Sequence, residues 1–373
     1  MKIALVHDYL REYGGAERVL EALHELYPEA PVYVAFVDKK ALGIHYQNFQ
    51  GWDIRETWMA NLPFIKKLFS PYRVFAARAF ASLDLSNYDL VISSSNAYMA
   101  KAVKAKKQIC YCHTPPRALY GYSTMSGWKD KFWTRIVGEL INHYMRLVDF
   151  KVAQQVDLFI ANSREVQERI KKFYRRDSVV IYPPVNMPDL KNLKFEIIPQ
   201  RGIALWAKNY FLYVNRLALA KHPELAVKAS IKLKLNLKVV GAGPMLADLK
   251  QLAAGHPNIS FYGAVNDETL RELYSGAQAL LYPVEDEDFG IVPVEAMSYG
   301  LPVVAHRSGG PQETILENKT GVFFDKLTES DLIRAIDRLD KIKFSKKLIM
   351  AQAQKFGKER FKREIKKLVK KYE

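Results

Sequence analysis

The segment Glu285-Asp286-Glu287-Asp288-Phe289-Gly290-Ile291-Val292-Pro293-Val294-Glu295 gathers five carboxylates around one glycine and one proline. It follows an apolar run ending at Tyr282-Pro283 and leads into a second apolar stretch that closes at Gly300. A glycine at such a turn lets the backbone approach a ligand, and the open N–H groups at the start of the next helix suit phosphate oxygens. Glu295 falls one or two turns into that helix, where its carboxylate can accept from vicinal hydroxyls. Asp286 and Asp288 read as ordinary partners of a helix dipole. Glu287 and Glu295 read as ligand-binding groups, because Glu295 interrupts an otherwise apolar helix start.

Asn215-Arg216-Leu217 and Lys221-His222-Pro223 form a second cluster, after an apolar run. An arginine forks across two phosphate oxygens and a lysine adds a mobile point charge, so Arg216 and Lys221 suit a diphosphate. Near the N-terminus, Gly14-Gly15-Ala16-Glu17 lies between an apolar run and a helical pattern. It is not the Gly-x-Gly-x-x-Gly dinucleotide fingerprint, and no complete P-loop motif occurs. His113 follows the apolar run Gln108 to Cys112 and precedes Thr114-Pro115-Pro116, which places it at the end of a strand. Cys110, Cys112 and His113 lack a second cluster to complete four ligands, so no metal site is expected.

These residues need strands and helices to hold them. Lys2 to Val6 is an apolar run, and Val19, Leu20, Leu23 and Leu26 then recur at helical spacing. Further short apolar runs stand at Val32 to Val37, Leu90 to Ser93, Gln108 to Cys112, Leu158 to Ala161 and Val179 to Tyr182. A second series follows at Phe211 to Asn215, Leu237 to Val240, Ile259 to Tyr262, Ala279 to Tyr282, Val303 to Ala305 and Gly321 to Phe324. Longer amphipathic stretches separate them, the pattern of parallel sheets covered by helices. The expectation is an α/β protein with two Rossmann-like domains, 1–186 and 187–342, joined near 186–208 and facing across a cleft at the strands' carboxyl ends. Residues 343–373 are expected to form a basic helix whose apolar stripe includes Leu348, Phe356, Ile365, Leu368 and Val369.

The 373 residues, 49% hydrophobic and 26% charged, supply enough apolar material for real cores and exclude a disordered chain. No apolar run is long enough to span a bilayer, and His7 and Asp8 interrupt the first one too early for a signal peptide. A cytoplasmic protein is expected. Two cysteines exclude a disulfide framework. The net charge of +16 is segregated: 26 cations against 18 carboxylates in 1–186, 18 against 19 in 187–342, and 12 against 3 in 343–373. Charge alone would suit a nucleic-acid-binding protein. That reading leaves the paired glutamates without a purpose, and no nucleic-acid module is present.

Taken together, these residues resemble the retaining glycosyltransferases of family 4, which have the GT-B fold. The likeness runs along the whole chain. Glu287 and Glu295 match the family's Glu-x7-Glu motif around Phe289-Gly290, followed by Glu-Ala-Met, Gly300-Leu301-Pro302-Val303-Val304, Gly309-Gly310 and Glu313. Gly14-Gly15-x-Glu17, His113, Asn162-Ser163, Arg216-Leu217 with Lys221, and Gly241-x-Gly243-Pro244 also match. The resemblance implies that the terminal helix crosses back to the first domain. It assigns Glu295 to the nucleotide ribose and Arg216 and Lys221 to the diphosphate. Glu287 and the backbone of Phe289, Gly290 and Ile291 are implied to hold the sugar and its phosphate. Gly14 and Gly15 would approach the diphosphate, His113 would contact the sugar, and the backbone near Val265 would line the base.

It further implies a retaining transfer that needs neither metal nor cofactor beyond the nucleotide-sugar donor. Asp288-Phe289-Gly290-Ile291-x-Pro293-Val294-Glu295 and Val180-Ile181-Tyr182-Pro183-Pro184-Val185 resemble the mannosyltransferase branch that uses GDP-mannose in surface polysaccharide or glycan synthesis. A UDP-sugar donor, or a GT-B epimerase or phosphorylase, is the alternative. The implied acceptor is a saccharide or a polyprenyl-linked saccharide. Trp58 to Phe80 interleaves aromatics with Lys66, Lys67, Arg73 and Arg78, and Lys101, Lys104, Lys106 and Lys107 follow. That mixture suits the interface of an anionic membrane, so peripheral contact at the inner face of the cell membrane is expected, with no nucleic-acid partner.

Overall fold

A computed structural model describes residues 1–122, 132–188 and 210–372. The chain divides into two compact units. The expected joint at 186–208 lies almost wholly outside the described residues.

The first unit holds a seven-stranded, all-parallel sheet in the order β3-β2-β1-β4-β5-β6-β7. Its strands are β1 (Ile3–His7), β2 (Val32–Val34), β3 (Ile54–Glu56), β4 (Leu90–Ser95), β5 (Gln108–Cys112), β6 (Leu158–Ala161) and β7 (Ser178–Val180). Side chains alternate across the pleat, so Ile3 and Leu5 of β1 enter one core while Ala4 and Val6 enter the other. The helix Gly15–Leu26 covers the first of these faces through Val19, Leu20 and Leu23. The Phe132–Ala153 helix and the Ala76–Ala81 helix contribute to the second face. Both faces are covered, as a parallel sheet requires.

The second unit holds a six-stranded, all-parallel sheet in the order β10-β9-β8-β11-β12-β13. The strands are β8 (Tyr210–Val214), β9 (Leu237–Val240), β10 (Ile259–Gly263), β11 (Ala277–Tyr282), β12 (Val303–His306) and β13 (Gly321–Phe324). One core joins β8, β9, β11 and β12 to the helices Pro223–Lys232 and Glu329–Asp340. In both sheets the strand order reverses beside the first strand, at β1/β4 and at β8/β11. Such switch points are where open α/β sheets bind ligands.

The final segment differs from the single helix expected over 343–373. It forms two helices, Lys346–Gln354 and Lys358–Val369, with the break at Phe356-Gly357. The first belongs to the second unit and the other to the first unit. At the break the Val185 N–H donates to the Phe356 carbonyl at 3.1 Å, and Gly357 pairs with Val185 in a short parallel bridge. Phe361, Ile365 and Val369, four residues apart, bury one stripe of the last helix in the first unit's core. Arg360 donates to the Tyr182 carbonyl at 2.8 Å, and Lys362 pairs with Glu25 at 2.5 Å. Leu348, assigned to the apolar stripe from sequence, is 40% exposed.

Candidate active site

In the second unit most of the residues singled out from sequence meet at the β8/β11 switch point. β8 runs out through Asn215 to Arg216, whose side chain is exposed, and the chain then turns back to place Lys221 against the sheet. The Lys221 carbonyl accepts from the buried Tyr213 hydroxyl at 2.9 Å, which anchors the lysine's backbone to β8. From β11 the chain passes Tyr282 and enters the acidic loop. Lys221 Nζ donates to Glu287 Oε2 at 2.6 Å, and the Tyr282 hydroxyl donates to the same oxygen at 2.6 Å. Burial and the Glu287 charge together push the Tyr282 phenol well above its ordinary range, so it stays a neutral donor.

Two glycines set the height of the acidic loop. A Cβ on Gly309 would stand 2.1 Å from the Glu287 carbonyl oxygen, and one on Gly310 would stand 2.3 Å from the Phe289 Cα. Only glycine permits that approach. The Gly310 N–H donates to the Glu287 carbonyl at 2.8 Å, and Ser308 Oγ accepts from the Asp286 N–H at 2.9 Å. Phe289 is buried and meets Phe356 at 5.7 Å between ring centroids. Gly290 takes a φ of 83° and starts the Ile291–Ser298 helix, so the first N–H groups of that helix follow directly on Phe289. Glu295, on the same helix, is buried and accepts from the Tyr274 hydroxyl at 3.2 Å.

Val265 stands elsewhere along that carboxyl edge, two residues past β10 and two strands out from β8. The structure therefore brings together Lys221, Glu287, Phe289, Gly290 and Ile291, sets Glu295 one turn along the helix, and leaves Val265 at the rim.

The first unit carries its own cluster at the β1/β4 switch point. Gly14 caps the Gly15–Leu26 helix, and its N–H donates to Glu17 Oε2 at 2.8 Å. Glu17 Oε1 lies 3.5 Å from His7 Nε2, too long for a strong hydrogen bond but close enough for the charge to act on that nitrogen. His7 Nδ1 is 3.0 Å from Ser94 Oγ, and Ser94 Oγ is 2.8 Å from His113 Nε2. All four side chains are buried. Burial drops the His113 pKa to about 3. His113 is therefore neutral at neutral pH. Next to His7 in the chain, Asp8 accepts from the N–H groups of Asn96, Tyr98 and Ala100 and fixes the loop after β4.

Sequence reasoning reached Gly14, Gly15, Glu17 and His113 but passed over His7, Ser94, Tyr282 and Tyr274. The available signal was position: His7 ends the otherwise apolar β1, and Ser94 lies in the serine run that closes β4. Lys101, read from sequence as part of a basic surface, is instead buried and donates to Asp149 at 2.6 Å. Cys110 and Cys112 are free and share a buried apolar cluster with Phe159 and Tyr174. Among the described residues no group of three His, Cys, Asp or Glu side chains is placed to hold a metal ion.

Two family models match this chain, "Glycosyltransferase Family 4" over residues 13–187 and "Glycosyl transferases group 1" over residues 197–360. The chain belongs to the family 4 glycosyltransferases, with the GT-B fold. Among its relatives, the alpha-1,3/1,6-mannosyltransferase ALG2 of Candida glabrata is 26% identical over 370 residues, covering 85% of this chain and 78% of that protein. The sulfoquinovosyl transferase SQD2 of Arabidopsis thaliana is 34% identical over 136 residues, covering 35% of this chain and only 26% of that protein. Of solved structures, Anabaena Alr3699/HepE in complex with UDP-glucose superposes with a TM-score of 0.70 at 18% identity, covering 100% of each chain. The apo lipopolysaccharide outer core galactosyltransferase WaaB gives 0.66 at 18% identity over 99% of each. These likenesses give this glycosyltransferase its fold; they do not give it a donor.

Proposed function

We propose that this glycosyltransferase moves mannose from GDP-mannose, with retention, onto a saccharide or polyprenyl-linked saccharide acceptor in surface polysaccharide or glycan synthesis. The observation that carries the reading is the Lys221–Glu287 contact under the Gly290 helix start, at a sheet's switch point. It sets a cation, a carboxylate and open N–H groups around one spot, which suits a sugar joined to phosphate. Support for mannose comes from relatives named as mannosyltransferases that align over most of the chain.

In this reading Arg216 and Lys221 meet the diphosphate, Glu295 accepts from the ribose hydroxyls, and Glu287 holds the sugar. Gly14 and Gly15 approach the diphosphate, His113 contacts the sugar, and the backbone at Val265 lines the base. The acceptor hydroxyl attacks the anomeric carbon on the face the diphosphate leaves. The carbon–oxygen bond to phosphate breaks as the new glycosidic bond forms, and the departing phosphate oxygen takes the acceptor's proton. Negative charge grows on the diphosphate during that step, where Arg216, Lys221 and the helix start stabilise it, so the reaction is proposed to run without a metal. The enzyme is proposed to work at the inner face of the cell membrane, with the basic, aromatic segment Trp58 to Phe80 in contact with anionic lipid.

A donor screen tests this. Incubated with GDP- and UDP-sugars, the protein is expected to be stabilised by GDP-mannose and to hydrolyse it slowly. Preference for a UDP-sugar would overturn the mannosyl assignment. No response to any nucleotide sugar would overturn the site.

A further inference from the structure

The Phe132–Ala153 helix has two unlike faces. Its inner face is tied down: Asn142, Met145, Asp149 and Ala153 are buried, and Asp149 takes Lys101 at 2.6 Å and the Tyr120 hydroxyl at 2.9 Å. Its outer face exposes Ile136, Val137, Leu140, Ile141, Tyr144 and Leu147, each at least 40% accessible, with Leu140 at 67%. At about 1.5 Å per residue the stripe from Ile136 to Leu147 runs roughly 17 Å. A helix facing water would carry charge there, and an exposed apolar stripe of this kind marks a contact surface.

The same helical layer indicates the partner. Met145, Val148 and Val152 pack into the core that also takes Ile65, Ala76 and Phe80. From that neighbouring segment Phe64, Leu68 and Phe75 are exposed beside Lys66, Lys67 and Arg78, and no carboxylate occurs from Thr57 to Leu83. Apolar side chains with cations and no acids complement a lipid surface that is apolar beneath and anionic at its headgroups. Among the described residues no helix is long and apolar enough to cross a membrane.

We infer that the outer face of the Phe132–Ala153 helix lies in the interface of an anionic membrane, with the 57–83 segment supplying the charge contacts. This deepens the membrane contact proposed above and does not depend on the donor. The test is co-sedimentation with vesicles of phosphatidylcholine alone or with about a third phosphatidylglycerol, at low and high salt, alongside light scattering. The wild type is expected to sediment with the anionic vesicles. Leu140→Gln/Leu147→Gln should lower partition at least tenfold with melting temperature unchanged, since both side chains already face solvent. Lys66→Gln/Lys67→Gln should weaken binding at low salt only. Unchanged partition of the leucine variant would overturn the inference, as would a wild-type dimer that this variant turns into a monomer. Donor hydrolysis, followed in parallel, reports separately on the catalytic reading.

A second inference comes from the buried chain at the β1/β4 switch point. The Glu17 carboxylate beside His7 Nε2 favours the proton on that nitrogen, which leaves His7 Nδ1 to accept the Ser94 hydroxyl. Ser94 Oγ then accepts from His113 Nε2–H, and His113 Nδ1 is left with its lone pair. We propose that Glu17, His7 and Ser94 are positioning residues that hold His113 as the Nε2–H tautomer, so that it offers a substrate hydroxyl an acceptor. The role given to His113 rests on the function proposed above; the tautomer does not.

Long-range nitrogen–proton correlation spectra of protein labelled with 15N-histidine read the tautomer directly. His113 is expected as Nε2–H in the wild type and as a mixture in Ser94→Ala, with Ser94→Thr restoring the wild-type pattern. An Nδ1–H tautomer in the wild type, or no change in Ser94→Ala, would overturn the proposal.

Discussion

Replacing Lys221 with methionine removes the ammonium 2.6 Å from Glu287 while keeping most of the length of the side chain. The two side chains are 11% and 13% exposed. Breaking one side of a fully buried pair costs about 3–5 kcal/mol, while an exposed pair is worth about 1 kcal/mol or less. Some solvent reaches this pair, and the Tyr282 hydroxyl still donates to Glu287 in the variant, so a loss of about 2 kcal/mol is expected. For a unit of this size that lowers the melting temperature by about 4–8 °C. Lys221→Met/Glu287→Gln removes the stranded charge and should recover about half of the loss. Donor turnover in Lys221→Met should fall about 10²–10³-fold, the usual cost of losing one donor to a developing oxyanion. Calorimetry of the wild type, both single variants and the double variant closes the cycle. A coupling near zero would refute the claim that Lys221 and Glu287 act as a pair, whatever the turnover.

Three further outcomes are expected. Glu295→Ala should weaken nucleotide binding about tenfold or more by titration calorimetry, since a charge-assisted hydrogen bond is worth about 1.5–3 kcal/mol. Asp286→Asn should leave it unchanged; asparagine suits the φ of 53° at that position, and equal losses would mean the two roles are misplaced. Because His113 stays neutral in the fold down to a pH of about 3, the unfolded chain binds the extra proton first. Stability should therefore fall by about 1.4 kcal/mol per pH unit from about 6.5 downward, and His113→Gln should flatten that slope in acid denaturation. Lys101→Met should cost about 3–5 kcal/mol because Asp149 is left charged and buried, and Lys101→Met/Asp149→Leu should recover most of it in urea unfolding.

The strands were legible where a short apolar run ends at a polar or glycine residue. Of the thirteen strands among the described residues, β3 (Ile54–Glu56) escaped: an edge strand with Arg55 and Glu56 in solvent leaves no apolar signature. The end of the chain misled because composition records helix formers and not their partners. Lysines and alanines run through 343–373 without proline, yet Gly357 breaks the helix where the backbone meets Val185. The basic reading of Lys101 failed for a related reason. Sequence shows a charge but not the Asp149 that waits 48 residues away to pair with it.

The two switch points show why one cluster could be read and the other could not. In the second unit the groups that meet are Lys221 and a short loop containing Glu287 and Gly290, and their types already state a chemistry of charge against phosphate. In the first unit the working groups come from two strands, the residue that follows a third, and a helix, spread from position 7 to position 113. None is unusual for its place in sequence, because a histidine or serine that ends a strand is common. What sets them apart is that burial removes water as a partner, so each must satisfy the next. In the order proposed above, the proton positions along that chain follow from the Glu17 carboxylate beside His7. That dependence is a property of the folded arrangement, and a substitution at Glu17 should be read out at His113, 96 positions along the chain.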